Sequence, residues 1–387
     1  MLIKLRLTGL ALLLSLTTFG QDADYARAML NTLTSKMLWG RGYTKNGLEK
    51  AADLLSGQFK SYGVKPMDGK SYLQNFSFPV NTFPGKMEVI VDRVKLVPGK
   101  DFIVGPDSRG INSQGILEQR DSVTFIDEKD RIMVKLRDKL TWSAEQSVSD
   151  FTLIEIDKKA LKSKPVSITA NIEDVFVENF KTANICGVVK GTEKPDSIIV
   201  FSAHYDHLGG MGSDTYFPGA NDNASGVIQV MSLAKYYAAH PQPYTIAFIL
   251  FTGEEAGLVG SKYFTEHPLI PLQNIRLLIN QDLEGTGVDG ITVVNATVYP
   301  KEFELLKQIN AKYHYLPEIR PRGKAANSDH YLFTEKGVPA IFWYTQGGIA
   351  AYHDINDIAA TLPMDHYDNI FHLILKFTDA LQGKPIN

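Results

Sequence analysis

The chain has 387 residues, 44% of them hydrophobic and 21% charged, enough to bury a large core and too apolar for a chain disordered throughout. Its 40 basic residues against 43 acidic ones leave a net charge of −3, so no global field draws it to nucleic acid or to anionic lipid. Any partner has to be argued from a local site.

At the start, Lys4 and Arg6 precede an apolar stretch over 7–19 that closes on Gly20. This layout predicts a signal peptide over 1–20 and an exported chain, periplasmic or secreted. The stretch is shorter than the roughly 20 residues needed to cross a bilayer, and no later segment is long and apolar enough, so the expected mature chain is soluble with no stable membrane anchor. A single cysteine, Cys186, excludes an intramolecular disulfide. Its apolar setting, Ala183-Asn-Ile-Cys-Gly-Val-Val189, marks it as a small core residue.

Helical spacing follows over 24–38 and 45–62, the second carrying Leu48, Ala51, Ala52, Leu54, Leu55 and Phe59 on one stripe. From about 77 to 178 the character changes to short β-rich stretches, such as 87–92 and 151–156, broken by Gly, Pro and charged turns. We expect a smaller β-rich inserted module over 86–175, with the main domain formed by 21–85 and 176–387. After Lys181 strands and helices alternate. Strands are expected over 197–203, 245–252, 275–281, 290–295 and 339–344, and helices over 224–239, 256–267, 301–313, 329–336 and 364–382. Continuous apolar strands between helices predict an α/β fold, a mixed but mostly parallel sheet sandwiched by helices.

In such sheets ligands bind beyond the carboxyl ends of the strands, and each strand end here offers a histidine or a carboxylate. The first strong strand runs into Ala203-His-Tyr-Asp-His207, and a Gly-rich loop then leads to Gly219-Ala-Asn-Asp-Asn-Ala-Ser-Gly226. The following ends read Phe251-Thr-Gly-Glu-Glu255, Asn280-Gln-Asp282 and, after 339–344, Tyr352-His-Asp354. None offers a serine in a nucleophile-elbow context or a cysteine. Imidazole nitrogen and carboxylate oxygen are ligands for zinc-class divalent metals, and a pair of such ions needs one bridging carboxylate plus one histidine and one carboxylate each. His204, Asp222, Glu255, Asp282 and His353 supply that set, and Glu254 is left free to act as a general base. Taken singly each has a bland use: Asp222 as a helix cap, Glu254 and Glu255 at a helix start. Those uses would have to coincide at five strand ends.

These residues, with Ser328-Asp-His330 and Lys336-Gly-Val-Pro-Ala340 between the fourth and fifth ligands, resemble the zinc-dependent aminopeptidases with co-catalytic metals. That family also holds glutamate carboxypeptidase II, glutaminyl cyclase and the transferrin receptor ectodomain. The resemblance covers about 180–385 and implies the zinc exopeptidase (phosphorylase/hydrolase-like) fold and two Zn2+ ions, with Co2+ or Mn2+ as possible substitutes. It implies that His204 and Asp282 hold one ion, Glu255 and His353 the other, and that Asp222 bridges them. Glu254 would be the base that forms a metal-bound hydroxide, and Tyr352 would steady the oxyanion. Asp206 and Asp357 are candidates to orient the histidines, Asp329 matches a family position near the pocket, and His207 and His330 are expected to orient or pack.

The implied activity is removal of N-terminal residues from peptides with a free amino end. A single-zinc glutaminyl cyclase and a carboxypeptidase or dipeptidase stay open, and the complete ligand set argues against a non-enzymatic binding ectodomain. Relatives often carry Asp-Met where this chain has Asp282-Leu283, and Thr-x-x-Asp where it has Asp354-Ile-Asn-Asp357.

Overall fold

A computed structural model describes residues 23–386; the signal segment expected over 1–20 lies outside them. The main sheet has nine strands. They are β1 (Lys65–Pro66), β2 (Leu73–Thr82), β3 (Val175–Val189), β4 (Lys194–His204), β5 (Tyr244–Phe251), β6 (Ile275–Gln281), β7 (Ile291–Val294), β8 (Ile319–Pro321) and β9 (Ala340–Thr345). Their spatial order is β1-β3-β5-β4-β6-β9-β7-β8, with β2 also paired to β3. β5, β4, β6 and β9 are mutually parallel, and the flanking pairs β3 with β5 and β9 with β7 are antiparallel. The sheet is therefore mixed with a parallel centre.

The central strands read as unbroken apolar runs because both their faces are covered. Along β5, Ile246, Phe248 and Leu250 point into one buried cluster and Ala247, Ile249 and Phe251 into another, as the two-residue period of a strand requires. The first cluster lies under α1 (Ala23–Leu33), α2 (Gly47–Tyr62), α3 (Gly226–Ala239), α5 (Pro300–Tyr313) and α7 (Tyr367–Leu381). The second is closed by α4 (Val259–Glu266) and α6 (His330–Glu335) through Phe264 and Phe333. Cys186 is buried in the second cluster as a free thiol. Among the described residues no helix is long and apolar enough to cross a membrane.

Residues 87–172 carry two further sheets. One orders the strands Val94–Leu96, Met87–Val91, Ser167–Ile172 and Ile111–Ile116; the other orders Phe102–Val104, Thr152–Asp157, Ile132–Arg137, Thr124–Asp127 and Glu118–Gln119. They share a buried cluster of their own, which Leu208, Met211 and Phe217 enter from the loop after β4.

Several helix boundaries differ from the sequence reading, including the last helix, expected from 364, which begins at Tyr367; three of the differences have a local cause. The helix expected over 24–38 stops at Leu33, and a short helical turn, Lys36–Arg41, follows with Trp39 and Gly40 in the left-handed region. A Cβ on Gly40 would meet the Phe217 carbonyl at 2.3 Å, so only glycine fits there. The helix expected from 256 begins at Val259, because Gly257 and Leu258 have positive φ and turn the chain first. The helix expected from 224 begins at Gly226, after a wide turn over Ala220–Ser225.

Candidate metal centre

The parallel strands β4, β5, β6 and β9 end on one edge of the sheet, and the five sequence-predicted ligands meet there. His204 is the last residue of β4, Glu255 follows β5, Asp282 follows β6, and His353 lies in the loop after β9. Asp222 comes from the wide turn before α3. That turn makes no side-chain cap with Asp222, so the helix-cap use does not apply to this aspartate. One of its oxygens, Oδ1, lies 3.3 Å from His204 Nε2, and the other, Oδ2, lies 3.0 Å from His353 Nε2. Asp282 Oδ1 is 3.5 Å from the same nitrogen of His204, and Glu255 Oε2 is 3.2 Å from that of His353. Two half-sites thus share Asp222.

The surroundings aim these groups. Asp282 Oδ2 accepts a hydrogen bond from Ser328 Oγ at 2.8 Å, and Ser328 in turn accepts one from Asn280 Nδ2 at 2.8 Å. This leaves Oδ1 to face His204. Glu255 Oε1 is 2.6 Å from His207 Nδ1, so His207 steadies the glutamate whose other oxygen meets His353. His207, Asp222 and Glu255 also lie close enough to hold an ion by themselves, as do His204, Asp222 and Asp282. With Nδ1 of His207 against Oε1, the other carboxylate oxygen, Oε2, is the one that faces His353. His353 Nδ1 donates to the Trp142 carbonyl at 2.8 Å, which turns its Nε2 toward the acids.

Asp206 lies beneath both half-sites. Its backbone carbonyl is 3.1 Å from His204 Nδ1, whereas its carboxylate accepts Tyr43 Oη at 2.7 Å and the amides of Glu254 and Glu255 at 3.3 and 3.4 Å. Asp357 does not serve a histidine as the sequence suggested. Its oxygens accept the amides of Asn221, at 2.8 and 3.0 Å, and of Asp222, at 3.0 Å, so it shapes the turn that delivers Asp222. Asp329 is fully buried with neither oxygen hydrogen-bonded among the described residues, and burial pushes its carboxyl up to about 7. His330 packs against Phe342, with ring centroids 5.2 Å apart, and burial pushes it down to about 3.

Sequence reasoning missed Arg41. It is fully buried, and its guanidinium donates to the carbonyls of Tyr205 (2.9 Å), Leu33 (3.0 Å), Pro218 (2.8 Å) and Gly219 (2.9 Å), with Asp222 O at 3.4 Å. Burial lowers its pKa to about 10, still far above neutrality, and Asp357, Asp222 and Asp206 favour the charged form. Gly219, at φ 60°, has room only for hydrogen: a Cβ would meet the Asp222 carbonyl at 2.2 Å and His207 Cδ2 at 2.4 Å.

The cluster opens into a cavity of about 270 Å³ lined by His204, Asp222, Glu254, Asp282, Tyr352 and His353, with Leu283, Arg322, Asn327, Phe342 and Tyr344 around it. Tyr352 is 42% exposed and lies flat on the His353 ring, centroids 4.0 Å apart. A larger cavity of about 750 Å³, lined by Tyr43, Phe76, Phe180 and Tyr205 among others, contains none of the five residues. The chemistry therefore belongs to the smaller one.

The donor set fits divalent cations. Among the described residues, the side chains of Asp222, Glu255 and Asp282 are buried with imidazoles as their only ion-pair partners, and buried charge is costly unless compensated. At His353 burial opposes protonation, yet Glu255 and Asp222 outweigh it and raise the pKa to about 12. Such a shift marks a site short of positive charge, which metal ions would supply in place of protons. Imidazole and carboxylate suit zinc, and also cobalt or manganese.

A nest of acids and imidazoles at the carboxyl edge of a half-parallel sheet defines an α/β protein with a divalent-metal centre, the arrangement of metallohydrolases. Residues 184–378, half of the chain, match the model of peptidase family M28, and the chain belongs to that family. It is 36% identical over 109 residues to a probable zinc metalloprotease of Pyricularia oryzae, covering 28% of this chain and 22% of that one. It is 24% identical over 390 residues to aminopeptidase Y of Saccharomyces cerevisiae, covering 86% and 69%. The chain thus spans less than a quarter of the first relative's length. Among solved structures, BSAP, a zinc aminopeptidase from Bacillus subtilis, has the same fold, with a TM-score of 0.71 at 18% identity over 93% of this chain and 95% of that one.

Proposed function

We propose that this chain is a zinc aminopeptidase that holds two metal ions and removes residues from the free amino end of peptides. The observation that carries the reading is the shared Asp222, with one oxygen toward His204 and the other toward His353. His204 and Asp282 would hold one ion, Glu255 and His353 the second, and Asp222 both. When bound, such a pair supplies Lewis acidity that makes water a nucleophile at neutral pH and polarises the carbonyl under attack.

The remaining work falls to side chains. Glu254 lines the cavity beside the ligands. Burial raises its carboxyl well above the usual range, and Glu255, Asp329 and Asp282 push the same way. A carboxylate with so strong a hold on a proton is suited to take one from the attacking water and return it to the leaving amine. Tyr352 stands at the cavity mouth, where its hydroxyl would donate to the tetrahedral oxyanion. The cavity's carboxylates would also receive the substrate's ammonium group.

Family membership and the named relatives support zinc and peptidase chemistry. The basic-then-apolar start supports export, and the separate sheets and core of 87–172 support an inserted module over 86–175. The test is Glu254→Gln. Two zinc ions per chain should remain, measured by elemental analysis, while turnover of amino-acid anilides falls by orders of magnitude and N-acetylated analogues stay uncleaved. Persistent turnover would remove Glu254 from the base role, and one zinc per chain would favour the cyclase reading.

A further inference from the structure

We infer that Arg322 selects substrates bearing a carboxylate close to the scissile bond, an inference that rests on the aminopeptidase reading above. Arg322 follows β8, and its amide donates to the Val293 carbonyl at 2.8 Å, which fixes its backbone to the sheet. Its side chain borders the metal cavity, where Nη1 donates to Tyr344 Oη at 3.1 Å and the guanidinium carbon stands 6.0 Å from that ring. The head group is thus steered by an aromatic neighbour while most of its donors stay unused.

The neighbouring cations behave differently. Arg320 is paired with Glu318 at 2.8 Å, and Lys324 is paired with Glu335. Among the described residues no carboxylate lies within ion-pair distance of Arg322, the one permanent cation lining the cavity. The cavity and its floor gather the acids Asp222, Glu254, Glu255 and Asp282. Two divalent ions would neutralise them, and Arg322 would then stand as surplus positive charge at the rim. A planar guanidinium with free donors is matched by a carboxylate, which it can grip with two parallel hydrogen bonds. With the amino end of the substrate at the acids, that carboxylate comes either from an acidic side chain or from the C-terminus of a dipeptide.

The zinc-loaded enzyme and its Arg322→Gln and Arg322→Lys variants are assayed on matched pairs: glutamyl against glutaminyl anilide, and Leu-Leu against Leu-Leu amide. Arg322→Gln is expected to lower the charged-to-neutral ratio of kcat/KM by roughly 10- to 100-fold in one pair, the worth of a hydrogen bond to a charged group, and Arg322→Lys to restore part of it. Loss in the first pair identifies the side chain as the source, and loss in the second identifies the C-terminus. Inhibition constants for free glutamate and Leu-Leu give a binding readout independent of turnover. A ratio that Arg322→Gln leaves unchanged in both pairs overturns the inference. A wild-type enzyme that cleaves none of the four overturns the aminopeptidase reading instead.

Discussion

Trp142 and His353 exchange two hydrogen bonds: the Trp142 amide donates to the His353 carbonyl at 2.9 Å, and His353 Nδ1 donates to the Trp142 carbonyl at 2.8 Å. The two residues are 211 positions apart. Trp142 is anchored in the β-rich region by its indole, which donates to the Val104 carbonyl at 2.8 Å and stacks on Phe217 at 4.7 Å. Residues 139–146, the strap that carries Trp142, touch other loops of the centre, through Gln146 Nε2 to the Ala256 carbonyl at 2.6 Å and Lys139 Nζ to the Ala350 carbonyl at 2.8 Å.

Trp142→Ala should therefore act twice. Loss of a buried Trp ring costs about 3–5 kcal/mol of stability, and release of the strap frees the His353 imidazole to rotate. We expect zinc to be lost from one half-site first on dialysis, with one ion per chain retained. Equal loss of both ions would detach the strap from His353. Gln146→Ala, which cuts one bond and leaves the indole in place, should lower stability by only about 1 kcal/mol, measured by urea unfolding.

Arg41→Lys should be far from conservative. A lysine cannot reach carbonyls from Leu33, Tyr205, Pro218 and Gly219 at once, because an ammonium lacks the planar fork. Several buried carbonyls would lose their donors, at about 1–3 kcal/mol each. The expected result is a large fall in the urea midpoint accompanied by weaker zinc retention, since the same carbonyls frame the Asp222 turn. Unchanged zinc affinity in a destabilised variant would confine Arg41 to a structural role.

Chelation should destabilise the wild-type chain more than Asp222→Asn. Ligand that binds only the native state stabilises by RT ln(1 + [L]/Kd), and Asp222 is the residue common to both half-sites. The Tm of the wild type should drop on adding a chelator and recover with zinc, whereas Asp222→Asn should start low and respond little. A full zinc response in the variant would exclude a bridging role.

His330 gives a pH dependence with a definite sign. Burial holds its folded pKa near 3, against 6.5 for an exposed histidine. The unfolded chain therefore takes up the proton first, and His330 subtracts stability as pH falls from about 6.5 toward 3. At 1.36 kcal/mol per unit the penalty reaches several kcal/mol at the acid end. His330→Gln removes this titration, so the difference in unfolding free energy between wild type and variant should shift in favour of the variant across that window. A difference flat from pH 7 to pH 4 would show that His330 titrates normally.

Much of the centre was legible from residues alone because parallel strands advertise themselves. β5 is an unbroken apolar run, and its end is marked by Gly253 and two glutamates, a change of character that needs no structure to see. The same logic located His204, Asp282 and His353. Arg41 and Trp142 escaped because their contacts are long-range and partly with backbone, and Ser328 was legible only as part of a motif, not as the donor to Asp282 46 positions away. Arg41 meets Tyr205 across 164 positions, and no local pattern distinguishes a fully buried arginine from a solvated one. Asp357 was legible as important, but its contacts were not. A spacing of four from His353 suggested contact with the imidazole, whereas the turn brings Asn221 and Asp222 to it instead. The early start expected for α4 failed for a local reason, since the Glu254–Glu255 pair sits in a turn that helical periodicity cannot distinguish from a first helical turn.

Arg41 has a further consequence for dissection of the chain. A fragment trimmed to 184–378 would retain every proposed metal ligand and the proposed base, yet it would leave behind the guanidinium beneath the Asp222 turn, the phenol that holds Asp206 and the carbonyl that orients His353. Such a minimal catalytic piece would carry the right atoms on an unsupported frame. Shortening the protein for engineering thus has to keep both the stretch around Arg41 and Tyr43 and the segment around Trp142.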